Sequence, residues 1–432
     1  KTVKLPSSCS GTFPTLPRNY RQEQIMITID EAIQKIKDVL PSATVEKLEL
    51  SLTAGKVLAE NISATEPAPL FTNSAMDGFA VRWSDVKMVT EDNPARLKIA
   101  VESQAGIPMG GELEAGFAAR ISTGARLMKG ADTVIPIELI KESADSIQIL
   151  KVGRKNQHIR YQGEEFKAGD VLLNHNTVLN PPQLAILASQ GISTVPVYKT
   201  PNVAIIATGS ELVHYTETPR AGQIRDSNRL MLSSAVDSSG GIAAFGMQVG
   251  DNYEATLDSI NQAAKNCSIL LFSGGVSVGP HDLVKKAAIE CGFEEIFWRI
   301  KQKPGKPLFF AKKGDVLFYG LPGNPVSSFM SYMMYVHPVI RHLGGHSFTQ
   351  PGFEAVVAEE IRNTMDRAHL MRVSIEREEG KKPRIKALKK QGSHMLTSIS
   401  SASGFIRVDA GITLSEGATA QVIPLSQHGK QL

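Results

Sequence analysis

The sequence predicts a multidomain α/β protein organised around a doubly wound, mostly parallel sheet at residues 201–346. The first observation is that short apolar runs alternate there with amphipathic runs of helical period. The second is that three of the apolar runs end in polar, glycine-containing turns, at 208–211, 273–279 and 321–325. Such turns gather at the carboxyl ends of parallel strands, so we expect them to surround one pocket. Runs rich in β-branched residues on both sides of this region predict smaller β-domains.

The composition is that of an ordinary globular protein. The chain has 432 residues, of which 42% are hydrophobic and 21% charged, and its net charge of +4 forms no dense basic stripe. Cys9, Cys267 and Cys291 form no CxxC pair, and so sparse a set fits a reducing compartment. Residues 1–24 lack the apolar stretch of a secretory signal, and we expect them to be a flexible extension. We therefore expect a cytoplasmic protein that binds neither nucleic acid nor membrane.

Two separated segments, 25–65 and 157–200, are predicted to form a mixed α/β domain, domain I. Its first helix is indicated by apolar residues at helical spacing, with Thr28 as N-cap and Glu31 three residues later. Its last helix has Pro at its start and Gly at its end. The helices predicted in this domain cover 28–40, 52–60 and 181–191.

The segment inserted between these two, 66–156, is predicted to be a β-domain, domain II. Asp77-Gly78 precedes one of its strands and, on spacing alone, is a hairpin corner. The other strands expected in domain II are 97–101, 116–121 and 133–137.

The parallel-sheet region, 201–346, is domain III, and residues 347–432 are predicted to form a small β-barrel or sandwich, domain IV. The strands expected in domain III are 203–207, 242–248, 268–272, 295–300 and 315–320, and its helices are 228–240, 253–265, 282–291 and 325–342. The strands expected in domain IV are 354–358, 370–375, 384–388, 404–408 and 419–423.

A glycine-rich turn, Ser273-Gly-Gly-Val-Ser-Val-Gly279, lies between a predicted strand and a predicted helix. Backbone N–H groups at a helix N-terminus bind anions, and a close backbone approach to a phosphate requires residues without Cβ. The alternative is an ordinary strand-to-helix turn. The presence of two further polar turns in domain III favours the anion site.

Two acidic residues, Glu211 and Asp226, flank the predicted phosphate site. Carboxylate oxygens beside phosphate are typical Mg²⁺ ligands, with the bound substrate supplying further oxygens. Asp226 also stands where a helix N-cap is expected, so the pattern alone leaves both roles open.

Lys303 and Lys306 lie in the turn Lys301-Gln-Lys-Pro-Gly-Lys-Pro307, in which prolines restrict the backbone beside each lysine. The turn is either a positioned pair of cations or an exposed basic turn. The sequence contains no Ser-His-Asp, HExxH or Walker A pattern.

Taken in order, the motifs resemble those of the molybdopterin molybdotransferase family, which comprises the bacterial MoeA proteins and the E domain of gephyrin. The resemblance covers about residues 25–425. The ordered set is highly specific, although each piece is weak alone. Its pieces are Ser74-Ala-Met-Asp-Gly-Phe-Ala80, Thr123-Gly-Ala125 with Gly130-Ala-Asp132, Arg160 to Gly169, Ala207-Thr-Gly-Ser-Glu-Leu212, Gly222-Gln-Ile-Arg-Asp-Ser-Asn-Arg229, Ser273–Gly279, Lys303-Pro-Gly-Lys-Pro307, Leu321-Pro-Gly-Asn-Pro-Val-Ser327 and Gln391-Gly-Ser393.

The resemblance implies an enzyme that takes adenylated molybdopterin and molybdate, cleaves the adenylate with Mg²⁺, and releases molybdenum cofactor and AMP. It implies a homodimer whose α/β domain faces domain II of the partner. Asp77 and Thr123 would then reach the site of the other subunit, and the adenylyltransferase that supplies the substrate is a further expected partner.

By matching motif, the resemblance assigns roles to several groups of residues. Glu211 and Asp226 would hold Mg²⁺ or the nucleotide phosphates, together with the acidic loop at Glu164-Glu165. Lys303 and Lys306 would bind molybdate with Arg367, Arg372 and Ser393. The residues implied to bind the pterin and its phosphate are Ser273, Gly274, Gly275, Ser277, Gly279, Asp282, Pro322, Gly323 and Asn324.

The chain departs from the family pattern at two positions. Glu165 stands where members commonly have Asp, and Ser210 replaces the Asp of the usual Thr-Gly-Asp-Glu turn. Two alternative functions follow from the same resemblance. The α/β domain also resembles the molybdopterin adenylyltransferase fold, and a gephyrin-like scaffold would bind a receptor peptide without catalysis.

Overall fold

The computed structural model describes residues 26–106, 111–276 and 283–425, which form two compact units. One unit comprises residues 46–197, and the other combines the chain before it with the chain from residue 198 onwards. Among the helices described, none combines the length and the hydropathy needed to cross a membrane.

A six-stranded sheet forms the centre of the larger unit and confirms the predicted fold class. Four neighbouring strands are parallel, and Phe309–Lys313 is antiparallel to both of its neighbours. The edge strand Glu294–Trp298 therefore runs in the same direction as the parallel four. In spatial order the strands are Ile242–Val249, Asn202–Thr208, Ile269–Ser273, Val316–Leu321, Phe309–Lys313 and Glu294–Trp298.

Helices cover both faces of this sheet, which explains why its strands are apolar at successive positions. Along Asn202–Thr208, Val203 and Ile205 belong to one buried cluster, whereas Ala204 and Ile206 belong to another. The α-helices of this domain are Asn228–Ser238, Tyr253–Ala263, Leu283–Glu290, Pro325–Ser331 and His337–Leu343, and a π-helical segment, Tyr332–Val336, joins the last two.

The predicted first helix is confirmed as Ile29–Asp38, and a capping box between Thr28 and Glu31 begins it. Its apolar side buries Ile29, Ala32 and Ile36 in the same cluster as Val203 and Ile205. The helix thus packs in the same compact unit as the parallel sheet. Its packing partners lie more than 160 residues further along the chain, so no local pattern identifies them.

The C-terminal region forms a closed barrel of five strands. Closure occurs because Ala368–Glu376 pairs with both Arg384–Ala387 and Gly404–Val408. The short strand Gln302–Lys303 adds to it in parallel, with Lys303 opposite His369. The barrel strands are Phe353–Val357, Ala368–Glu376, Arg384–Ala387, Gly404–Val408 and Thr419–Pro424, accompanied by the pair Ile361–Arg362 and Thr413–Leu414 and the helix Leu396–Ser400.

The unit of residues 46–197 contains a second six-stranded sheet, in the region predicted as domain II. In spatial order its strands are Thr133–Pro136, Gly78–Val81, Phe117–Ile121, Ala95–Ser103, Ser146–Ile149 and Ile140–Glu142. Outside this sheet the unit contains the helices Trp83–Val86 and Pro181–Ser189 and the strands Val45–Glu49, Ile62–Ser63, Asn73–Ser74, Ile159–Arg160, Val171–Leu173 and Thr194–Tyr198.

The helix predicted over 52–60 is wrong, because only a 3₁₀ turn at Leu50–Leu52 forms there. Gly55 adopts a φ of 76°, which ends any helix. Val57 and Leu58 are then extended and form antiparallel bridges to Val178 and Val197. The apolar residues of this segment have helical spacing, but pairing with distant residues makes the segment extended.

Candidate active site

The glycine-rich turn lies at the carboxyl end of the central parallel strands. Ser273 is in register between Ala207 and Leu321 of the neighbouring strands. The Gly274 N–H donates to the Leu321 carbonyl at 3.0 Å, which draws the turn across the sheet edge. The edge strand Glu294–Trp298 ends at this same edge, where the Trp298 Nε1–H donates to the Val276 carbonyl at 3.1 Å.

The first two glycines of this turn cannot be replaced without displacing their surroundings. Gly274 and Gly275 have φ values of 98° and 67°, in the left-handed region. A Cβ atom on Gly274 would lie 2.7 Å from the Thr208 carbonyl oxygen, and one on Gly275 would lie 2.6 Å from Val284 Cγ2. The backbone is therefore closely packed on its inner side. The predicted ligands Ser277, Gly279 and Asp282 lie outside the described residues.

Asn228 connects the glycine-rich turn to the turn at Pro322, Gly323 and Asn324. Its Nδ2 donates to Ser273 Oγ at 2.8 Å and to the Gly323 carbonyl at 2.7 Å. Asn228 Oδ1 and Thr208 Oγ1 are buried without a protein hydrogen-bond partner among the described residues. Buried polar atoms are normally paired, so both are available to a ligand. Both residues lie inside motifs that the sequence analysis identified, but neither was assigned a role.

Asp226 is 3% exposed and lies just before the helix Asn228–Ser238. The Arg229 N–H donates to its Oδ1 at 3.0 Å, and Arg229 Nε donates to its Oδ2 at 3.1 Å. Each carboxylate oxygen thus already has one donor, a geometry like that of a helix cap. A carboxylate oxygen accepts more than one bond, so the arrangement still permits a metal ligand.

Glu211 is exposed and lies on a short segment that pairs with the segment before Asp226. Ser210 exchanges hydrogen bonds with Asp251: the Ser210 N–H donates to Asp251 Oδ2 at 3.2 Å, and the Asp251 N–H donates to Ser210 Oγ at 3.0 Å. Asp251 therefore brings a carboxylate to the turn at which the family's Asp is missing. Across the part of the chain that the structure describes, no group of three or more His, Cys, Asp or Glu side chains forms a ready metal site. Mg²⁺ is commonly held by one or two carboxylates plus substrate phosphates, which the acids at this edge fit.

Arg372 is the strongest indication of an anion site in the larger unit. It is fully buried, and its Nη2 donates to the carbonyls of Lys390 and Gly392, both at 3.4 Å. Its Nε and Nη1 have no protein acceptor among the described residues, and burial lowers the pKa of Arg372. A buried guanidinium with two free donors requires a compensating anion. The carbonyl of Ser393, the next residue along, accepts from the Val326 N–H at 3.3 Å, so this anion site borders the helix Pro325–Ser331.

The other cationic candidates are arranged differently. Arg367 pairs with Asp366 through Nε at 3.0 Å, so it already has a carboxylate partner, which Arg372 lacks among the described residues. The hydrogen bond from Arg367 lowers the pKa of Asp366, and the charge of Lys306 contributes further. Lys303 and Lys306 are both exposed on their turn. Lys303 is in register with His369, three residues before Arg372, and the charge of Lys306 acts on Asp366 beside Arg367.

His369 is a residue that the sequence reasoning missed. It is 4% exposed, and neither ring nitrogen has a protein partner among the described residues. Burial, followed by the charges of Lys303 and Arg372, lowers its pKa to about 4, so it is neutral at physiological pH. The only signal in the sequence was its position three residues before Arg372.

In the unit of residues 46–197, the structure brings Asp77 and Thr123 together. The Thr123 N–H donates to Asp77 Oδ1 at 2.7 Å, although 46 residues separate the two. Both side chains are exposed. In the acidic loop, Glu164 Oε2 accepts from the Tyr161 N–H at 2.7 Å, and Glu165 is exposed.

The fold and the site define a multidomain α/β protein whose polar turns meet at the carboxyl edge of its parallel sheet. Three regions match described protein regions: residues 27–191 match the MoeA N-terminal region (domains I and II), 204–342 a probable molybdopterin-binding domain, and 354–425 the MoeA C-terminal region (domain IV). The chain belongs to the MoeA family.

Similar proteins include curated molybdopterin molybdenumtransferases. The chain is 33% identical to that of Haemophilus influenzae, covering 93% of this chain and 99% of the relative. It is 31% identical to that of Bacillus subtilis, over 94% and 96%. A crystal structure of the molybdopterin biosynthesis MoeA protein from Pyrococcus horikoshii superposes with a TM-score of 0.79 at 28% identity, covering 93% of this chain and 100% of that one. These matches extend through the flanking regions, which favours the molybdenumtransferase over a lone adenylyltransferase.

Proposed function

We propose that the protein inserts molybdenum into molybdopterin, using adenylated molybdopterin and molybdate as substrates and releasing AMP. The observation that supports this best is the fully buried Arg372 with two unpartnered donor nitrogens. An enclosed guanidinium with unpartnered donors suits a compact tetrahedral dianion.

The residues of the sheet edge have complementary roles in this proposal. The turn that contains Gly274 and Gly275 borders the terminal phosphate of the pterin, because it lies at the carboxyl edge of the parallel strands, where ligands of such sheets bind. Thr208 Oγ1 and Asn228 Oδ1 provide polar contacts, and the turn at Pro322, Gly323 and Asn324 borders the same ligand. This arrangement holds the pterin while the oxyanion is bound nearby.

Mg²⁺ is part of the proposal, with Glu211 and Asp226 as its ligands and Glu165 as a further candidate. When bound, the ion would neutralise phosphate charge during cleavage of the adenylate. The residues themselves orient the diphosphate: the exposed Glu211 carboxylate can turn towards it, whereas Asp226 is held by Arg229.

We further propose a cytoplasmic homodimer in which Asp77 and Thr123 serve the site of the other subunit. Their hydrogen bond fixes the Asp77 carboxylate at an exposed position, as a contribution to a shared site requires. The adenylyltransferase that makes the substrate is a fitting partner, because a direct transfer would protect a labile intermediate.

The decisive experiment incubates the purified protein with adenylated molybdopterin and Mg²⁺ and measures AMP with and without molybdate. We expect AMP release to depend on molybdate and to stop when EDTA removes the metal. Binding of adenylated molybdopterin without any molybdate-dependent AMP release would favour the scaffold alternative.

A further inference from the structure

The lysine turn is held from within by a buried glutamine. Gln302 is fully buried, and its Nε2 donates to the carbonyls of Pro304 at 3.1 Å and Gly305 at 3.2 Å. These carbonyls lie between the two lysines of the turn. Because one amide group bonds both of them, the path of the backbone from Lys303 to Lys306 depends on where that amide is held.

The amide is held by Tyr335. Gln302 Oε1 accepts from the Tyr335 hydroxyl, and both side chains are fully buried. Tyr335 lies in the π-helical segment Tyr332–Val336, and π-helical turns widen a helix locally and are frequent at functional sites. The same helical rod begins at the turn of Pro322, Gly323 and Asn324, beside the glycine-rich turn.

Contacts around Gly305 leave the turn little freedom. Gly305 has a φ of 89°, and a Cβ atom there would lie 2.5 Å from Ser331 Oγ and 2.8 Å from Gln302 Nε2. The turn therefore rests directly on the helix that carries Ser331 and on the glutamine amide. An apolar residue in place of Gln302 would leave the two carbonyls of this buried turn without their donor, so the amide is needed for the turn to keep its path.

We propose that Gln302 and Tyr335 are positioning residues that fix the spacing and direction of Lys303 and Lys306 towards the oxyanion. This inference rests on the proposed function, because it assigns the two lysines to molybdate. Lysine side chains lose considerable conformational entropy when they bind, so a backbone fixed in advance lowers the cost of binding. The pair acts through the lysines and does not itself touch the substrate.

The test compares Tyr335→Phe with Tyr332→Phe in the full chain. Tyr332 is a matched control, because it is fully buried in the same segment and its hydroxyl bonds Ser239 Oγ at 2.7 Å instead of the turn. Each variant loses one buried hydroxyl.

We expect Tyr335→Phe to weaken binding of sodium molybdate about tenfold in calorimetry and to raise the molybdate KM for AMP release by a similar factor. The kcat at saturating molybdate and the Kd of adenylated molybdopterin should change less than about twofold, and Tyr332→Phe should match wild type in all four values.

Equal losses of molybdate affinity in the two variants, or no loss in Tyr335→Phe, would overturn the inference. If Tyr335→Phe does not fold, Gln302→Met replaces it, because methionine keeps the length of the side chain and removes the three hydrogen bonds of the amide, to Pro304, Gly305 and Tyr335. Calorimetry separates this inference from the proposed function, because it measures molybdate binding without the reaction. If Tyr335→Phe binds molybdate more weakly than wild type, but wild type releases no AMP, the proposed function is rejected and the positioning role stands. Absence of molybdate binding in wild type would reject both.

Discussion

Asp226 is held at the start of a helix and is also a ligand in the proposed Mg²⁺ site, and one substitution separates the two roles. Its two oxygens accept from the backbone and the side chain of Arg229, and it is almost fully buried. We predict that Asp226→Asn lowers Mg²⁺-dependent AMP release more than about a hundredfold, because an amide keeps the shape and loses the charge that Mg²⁺ requires. Loss of the ion pair should cost about 1 kcal/mol of unfolding free energy.

Arg229→Ala is the control for this prediction. It removes the same ion pair and leaves the Asp226 carboxylate in place, so it should unfold more easily while retaining AMP release. Asparagine is itself a good helix-capping residue. Near-normal AMP release by Asp226→Asn would therefore reject the metal role and show that Asp226 only caps the helix.

Two buried histidines make the stability of the protein depend on pH. Burial, followed by the charges of Arg341 and His346, lowers the pKa of His337 to about 4, and His369 is shifted to about 4 by burial and then by Lys303 and Arg372. The unfolded chain binds these protons near pH 6.5, so the unfolding free energy falls as pH drops from about 6.5 to 4. We predict a loss of about 3 kcal/mol per histidine as the pH drops from about 6.5 to 4.

Denaturant unfolding measured at several pH values tests this prediction. His369→Gln should reduce the slope of unfolding free energy against pH by about one proton between pH 4 and 6.5, and it should leave the slope above pH 7 unchanged. An unchanged slope in the variant would mean that His369 titrates normally in the folded protein.

At the level of elements, two separate constraints require glycine in the glycine-rich turn. The backbone is left-handed, and neighbouring atoms leave no space for a Cβ atom. We predict that Gly275→Ala costs about 2–4 kcal/mol of unfolding free energy, because its φ is 67° and its new Cβ would lie 2.6 Å from Val284 Cγ2. Gly240→Ala is the matched control, because its φ is 86° and no atom lies within 4 Å of the added Cβ. It should cost only about 1 kcal/mol, the conformational part of the effect. Thermal unfolding of both variants measures the difference, and equal losses would show that contact with Val284 is unimportant.

At the level of the whole molecule, a shared site predicts complementation between two inactive subunits. Heterodimers that join an Asp77→Ala subunit to an Asp226→Asn subunit contain one site with both residues intact. With two affinity tags to isolate them, we expect about half of the wild-type AMP release per dimer. Each homodimeric variant should remain inactive. Heterodimers as inactive as the two homodimers would indicate that Asp77 acts within its own subunit, and an active Asp77→Ala homodimer would show that Asp77 has no role in the reaction.

The sequence by itself determined the features that depend on neighbouring residues. The capping box joins Thr28 to Glu31, only three residues further along. The alternation of strands and helices over 201–346 was predictable because continuous apolar runs indicate buried strands and apolar residues at helical spacing indicate helices. The glycine-rich turn was recognisable for the same reason, since Gly274 and Gly275 need no distant partner to adopt positive φ.

The tertiary structure decided whatever depends on distant partners. The strand Phe309–Lys313, which no pattern predicted, exists because it pairs between Glu294–Trp298 and Val316–Leu321. The segment after Leu52 has helical spacing but is extended, because it pairs with Val178 and Val197. Arg372 becomes an anion-site candidate only once the barrel buries it, and Gln302 and Tyr335 meet across 33 residues. Burial and pairing are properties of the assembled fold, and a local pattern cannot encode a partner so far along the chain.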